Sequence, residues 1–196
     1  MSAEFKALSV MAVPAGAELM HPNQQLPEHV TLQSPALDVM TDLTRVAAAS
    51  VNPNLPLDKV EEHMRNVGVR LLFVLNESRD VVGLITLNDL KGMRPMRFQQ
   101  QMGVSRSEVL VRDIMTARDR FEALSMAEVA EARVGDIIQT LKRTGRQHAL
   151  VIARTPDGPA IRGIFSARQV GRQLGVLIDT TGIAYTFAEL EAALIH

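Results

Sequence analysis

The chain has 196 residues, 46% of them hydrophobic and 22% charged, with a formal net charge of −1 and no cysteine. That length buries the core of one compact domain or two small ones. The near-neutral charge gives no overall field for holding a polyanion such as DNA, and the absence of cysteine excludes disulfides, thiolate nucleophiles and cysteine metal sites. The opening residues lack a basic-then-apolar signal pattern and no apolar run approaches the ~18 residues needed to cross a membrane, so a cytoplasmic chain with no membrane partner is expected.

In chain order, residues 1–33 carry scattered prolines (Pro14, Pro22, Pro27) and no sustained periodicity, which reads as an extended arm. Asp38-Val39-Met40-Thr41 follows, then Leu57, Val60, Met64 and Val67 at helical spacing before Gly68. That pattern predicts an amphipathic helix with glycine at its left-handed cap. Leu71 to Leu75 and Val81 to Thr86 read as strands around a polar turn, and a further helix is expected from about Asn88.

Residues 93–108 read as a solvated connector. Lys91, Arg94, Arg97 and Arg106 lie in or beside it with Phe98 as their only aromatic neighbour, a weak basis for nucleic-acid binding. The same stretch holds Met93, Met96 and Met102, which suit gap-filling contacts or a docking surface more than metal.

The earlier pattern then returns. Asp113-Ile114-Met115-Thr116 repeats the first motif; Val134, Ile137, Ile138 and Leu141 precede Gly145; and strands are predicted at 149–152 and 160–166 before a helix beginning near Arg168. Each unit reads β-α-β-β-α. One such unit of about 60 residues has too little core alone, and two packed about a pseudo-twofold axis bury their sheet faces against each other. The expected fold is therefore mixed α/β (α+β). Its expected divisions are an arm at 1–33, repeats at 34–92 and 109–175, the connector at 93–108, and an extension at 176–196. Thr186-Phe187-Ala188-Glu189 predicts a capped helix in that extension.

The Met-Thr opening, the helix ending in glycine, and Gly83-Leu84-Ile85-Thr86-Leu87-Asn88-Asp89 resemble the CBS (cystathionine beta-synthase-type) domain family, twice over. The resemblance implies a non-catalytic regulatory pair that binds an adenosine nucleotide as a regulatory ligand, AMP or ATP first, ADP or S-adenosylmethionine otherwise, with no metal required. It also implies a homodimer that signals to a regulated protein this sequence does not name. Leu90 and Val170 are expected to be available to a neighbouring copy.

By the same resemblance, Gly83, Thr86 and Asp89 meet the nucleotide, with threonine at phosphate and aspartate at ribose. A carboxylate offers two acceptor oxygens for the two hydroxyls of a diol. His148 and Arg168, with Arg146 a further candidate, would face this cleft from the second repeat. The reciprocal cleft would combine Ser166 and Gln169 with Arg70 and Asn88, and lacks the carboxylate. Val51 and Leu72 are the expected adenine contacts.

Ordinary roles remain open for all of these. Thr86-x-x-Asp89 is also a helix capping box, and Ser166-x-x-Gln169 keeps that pattern. His148 equally suits a hydrogen-bonded core position, and Arg70 and Arg168 equally suit a solvated surface. His21, His29, His63, His148 and His196 form no metal-ligand spacing, and Ser50, Ser125 and Ser166 have no nucleophile-elbow setting. An assembly module with empty clefts is the alternative reading, ahead of a weak nucleic-acid binder.

Overall fold

The computed structural model describes residues 24–180 together with residues 11, 12 and 14. After a 3-10 turn at Ala36–Val39 come β1 (Thr41–Asp42), β2 (Ser50–Val51), α1 (Leu57–Asn66), β3 (Leu71–Leu75), β4 (Val81–Thr86), α2 (Leu87–Lys91) and α3 (Met93–Met102). The second half holds α4 (Val111–Ile114), β5 (Thr116–Ala117), β6 (Ala123–Ser125), α5 (Met126–Glu131), α6 (Val134–Thr144), β7 (His148–Thr155), β8 (Gly158–Ser166) and α7 (Ala167–Leu174). The terminal helix expected after Thr186 lies outside the described residues.

Local pattern accounts for the long helices. Leu57, Val60 and Met64 of α1, and Val134, Ile137, Ile138 and Leu141 of α6, are all buried. Gly68 and Gly145 follow them at φ of 70° and 64°, the left-handed region where a side chain would be strained. In β3 the four residues Leu71 to Val74 are all buried, because Leu72 and Val74 enter the core beneath their own sheet while Leu71 and Phe73 meet Leu150 between the two sheets. The two sheets thus bury facing surfaces, as the repeat requires.

The sheets are not each made from one repeat. One has the order β2-β3-β4-β5 and the other β1-β8-β7-β6, so the strand after each Met-Thr motif pairs with the opposite repeat. Thr41 lies opposite Ile164, and Thr116 opposite Leu84. The flanking segments follow: Leu32, Ala36, Val39 and Met40 enter the core of the second sheet, and Val109, Val111 and Ile114 that of the first. Glycine makes the crossing possible. A Cβ on Gly83 would stand 2.5 Å from Met115 Sδ and 2.9 Å from Thr116 O, and one on Gly163 would stand 2.6 Å from Met40 Sδ. On one side the exchange is also locked by charge, since buried Asp42 accepts from Arg162 and from Thr44 Oγ1.

Around this frame, Gln173 of α7 is buried and donates to Pro27 O and Asp38 O, while Val30 N donates back to Gln173 O. The segment 93–108 is not merely a solvated connector but holds α3, with Pro95 in its first turn, where a missing N–H breaks no helical bond. Leu90 and Val170, expected to serve a neighbour, are instead fully buried in the chain's own cores.

Candidate functional site

Where β4 runs into α2, Thr86 caps the helix. Its Oγ1 and N donate to Asp89 Oδ2 at 2.7 and 2.9 Å, and Asp89 N donates back to Thr86 Oγ1. The other carboxylate oxygen, Oδ1, accepts from Arg94 Nη1 at 3.1 Å. These residues border a cavity of about 380 Å³. Leu71, Leu84, Phe121 and Leu150 form its apolar wall, and Thr116, Arg120, Arg146 and His148 enter from the second half of the chain. Arg146 forms a 3.0 Å ion pair with Glu122.

The same frame recurs at β8 and α7. A cavity of about 430 Å³ is bordered by Thr41, Gly68, Arg70, Ile164, Ser166, Gln169 and, beside them, Arg168 and Arg172. Gln169 stands where the first cleft has Asp89, and its Oε1 accepts from Thr41 Oγ1 at 3.4 Å. Ser166 makes no side-chain capping bond, so the expected capping box at 166–169 does not form: Gln169 has turned to the exchanged strand instead. A third chamber, of about 630 Å³, is bordered by Arg70, Asn88, Gln147, His148, Arg168 and Arg172 and by the turn at Val176 to Ile178.

His148 borders all three spaces. Burial, and secondarily the Arg70 charge, hold its imidazole down at about 4, against a smaller opposing pull from Asp89. It is neutral at pH 7 and presents one donor and one acceptor nitrogen to the spaces it borders. Among the described residues no cluster of three or more His, Cys, Asp or Glu could hold a metal ion, and no helix is long and apolar enough to cross a membrane.

The CBS domain family model matches residues 36–93, and the same frame is built again by the second half. The fold is similar to that of an uncharacterized conserved protein from Pyrococcus horikoshii, at 20% identity over 72% of this chain and 92% of that one, with a TM-score of 0.51. It is also similar to that of a CBS-domain containing protein from Agrobacterium tumefaciens, at 15% identity over 76% of this chain and 96% of that one, with a TM-score of 0.50. Residues 36–93 match a CBS domain, and the second half of the chain repeats its fold. CBSX2 of Arabidopsis thaliana, solved in complex with AMP, is a further similar structure: 21% identity, 71% of this chain, 94% of that one, TM-score 0.49. A comparison of the sequence with curated proteins finds no significant match.

In this pair of repeats Thr86, Asp89, His148 and Arg146 come together in the first cleft, and Arg70, Ser166 and Gln169 in the second. Arg168, expected opposite Asp89, instead borders the chamber and the second cleft, because α7 carries it to its own side of the axis. Asn88 likewise borders the first cleft and the chamber. Gly83 borders neither cleft; it sits in the β4 ladder opposite Ala117 and admits the exchanged strand. Val51 borders a separate groove along α1, and Leu72 is fully buried in the core. The sequence reading missed Thr116, Arg120 and Phe121 in the first cleft and Thr41 and Arg172 in the second. The repeated Met-Thr motif was the available signal for both threonines.

Proposed function

We propose that this CBS pair is a regulatory module that binds an adenosine nucleotide in the Asp89 cleft and passes that state to a partner protein. The observation that carries the reading is the grouping in one cavity of an apolar wall, a carboxylate and cations. Leu84, Phe121 and Leu150 suit a base; Asp89 suits a ribose diol; Arg120, Arg146 and His148 suit phosphate. The cavity is of a size that takes a nucleotide, at about 380 Å³.

Binding is coupled to the surface through Asp89. A diol that occupies Oδ1 competes with Arg94, which belongs to α3 and also donates to Ile114 O. Helix α3 exposes Met93, Met96 and Met102, so a change in the Arg94 bond reaches an adaptable apolar face suited to a partner. The regulatory reading includes no catalytic step, a cytoplasmic location and a homodimer. Light scattering is expected to give twice the mass of one chain, and a monomer with and without nucleotide would remove the dimer from the account.

Thermal unfolding with AMP, ADP, ATP and S-adenosylmethionine tests the central claim. A ligand at about 100 times its dissociation constant adds about 2.7 kcal/mol of stability. Absence of a shift with all four would overturn the nucleotide reading and leave α3 as the functional surface of an assembly module.

A further inference from the structure

The clefts at Asp89 and Gln169 sit where β4 and β8 run into their helices. The hairpin end of the same sheet interface holds a further cavity, of about 670 Å³. Its most buried lining is Phe73 and Leu150, the residues that join the two sheets. Equivalent positions of both repeats border it: Phe73 and Leu150 have the sequence separation of Gly68 and Gly145, and Ala48 and Ala123 that of Met40 and Met115. The cavity is therefore built by the two repeats together.

The backbone opens this end of the interface. The β3–β4 register slips between Val74 and Leu75, and the β7–β8 register between Val151 and Ile152, again at equivalent positions. A bulge bends its strand and increases the local twist, so both hairpins leave flat pairing close to where Val81 and Ile152 border the cavity. Small side chains keep it open, since Ala48, Ala123 and Ala160 are exposed along its wall where larger residues would fill the space. The volume and apolar lining match a small organic molecule.

Among the described residues only two charged side chains border the cavity, and both break the repeat. Asp80 is committed to its own turn: its Oδ2 accepts from Asn76 Nδ2 at 3.1 Å, and its N donates to Asn76 Oδ1 at 2.8 Å. Arg118 stands where the first repeat has Leu43, and it forms no ion pair with a described residue. We infer that this cavity binds one small amphiphile per chain, an apolar body with a single carboxylate, the body against Phe73, Phe121 and Leu150 and the head at Arg118. A guanidinium fork matches a carboxylate in charge and in geometry. The other lining side chains are apolar, and the Asp80 charge at the same cavity opposes a second negative group. The inference does not depend on nucleotide binding in the Asp89 cleft.

Fluorescence titration of the full chain with 1-anilinonaphthalene-8-sulfonate, an apolar monoanion, followed by displacement with decanoate or 1-decanol, tests this on wild type, Arg118→Gln and Ala48→Trp. Both positions are exposed, so both variants are expected to keep the wild-type melting temperature. The probe is expected to bind once per chain, and decanoate to displace it about 3- to 10-fold more effectively than decanol. Arg118→Gln is expected to remove that preference and leave decanol unchanged. Ala48→Trp, which fills the cavity, is expected to weaken both competitors by about 10-fold or more. No binding of the probe or decanoate, equal displacement by decanoate and decanol in wild type, a preference that survives in Arg118→Gln, or wild-type binding in Ala48→Trp would overturn the proposal.

Discussion

The Asp89 and Gln169 clefts stand on the same backbone frame and present different chemistry. In each, an exchanged two-residue strand lies against a glycine of the long hairpin, a Met-Thr threonine borders the cavity, and a hydroxyl residue opens the following helix. The differences sit in side chains. Asp89 is answered by Gln169, the true capping box at Thr86 by an uncapped Ser166, and the Arg94 and Arg146 ion pairs of the first cleft by Arg70, Arg168 and Arg172, with no carboxylate among the described residues that border the second cleft. Even the strand exchange is held differently. The Asp42–Arg162 pair on one side corresponds to Ala117 and Val82 on the other. Repetition fixes where a ligand can sit, and a few substituted side chains decide which part of it sits there.

Asp42→Ala is the largest expected break in that comparison. It leaves Arg162, 28% exposed, without its buried partner and is expected to lower unfolding stability by about 2–3 kcal/mol, while Ala117→Ser stays within about 0.5 kcal/mol. Urea denaturation measures both, and equal losses would mean that the two crossings are held alike.

His148 gives the next effect. Its folded-state value, near 4 against an ordinary 6.5, means that the unfolded chain binds the proton more readily between those values. Its contribution is therefore fully present above about 6.5 and is lost as pH falls toward 4. Wild type is expected to lose up to about 3 kcal/mol more than His148→Gln across that window. Parallel pH–stability curves would show that Arg70 and burial do not hold the imidazole neutral.

Arg94→Ala is the smallest. The Arg94 side chain is 55% exposed, so its loss is expected to lower stability by under about 1 kcal/mol. By freeing Asp89 Oδ1 it is also expected to raise nucleotide affinity by a few-fold, read by calorimetry. A large loss of affinity would make Arg94 a ligand contact and not a competitor.

The elements legible in the sequence were those set by neighbours along the chain. Leu57 to Gly68 and Val134 to Gly145 announced their helices through apolar spacing and glycine caps, and Thr86-x-x-Asp89 announced its capping box. The exchange of β1 and β5 was not legible. Two-residue strands carry no alternation, and Thr41 meets Ile164 only through tertiary packing. That is also why Thr116, Arg120 and Phe121 went unassigned: the exchanged strand and the turn after it deliver them to the first cleft. Helix α3 was hidden by Pro95 and an exposed methionine face without core periodicity. Arg168 was placed in the wrong space because a helix start fixes a residue's position in the chain, not the side of the axis it faces.

Titration of wild type, Asp89→Asn and Gln169→Ala with AMP tests the central claim most directly. Asparagine keeps a capping acceptor but loses the charge that receives a diol, so affinity is expected to fall by about 10- to 150-fold with little change in stability. Gln169→Ala is expected to change affinity by less than about 3-fold, since its amide accepts from Thr41 outside the Asp89 cleft. Wild-type affinity in Asp89→Asn, or the larger loss in Gln169→Ala, would contradict the account.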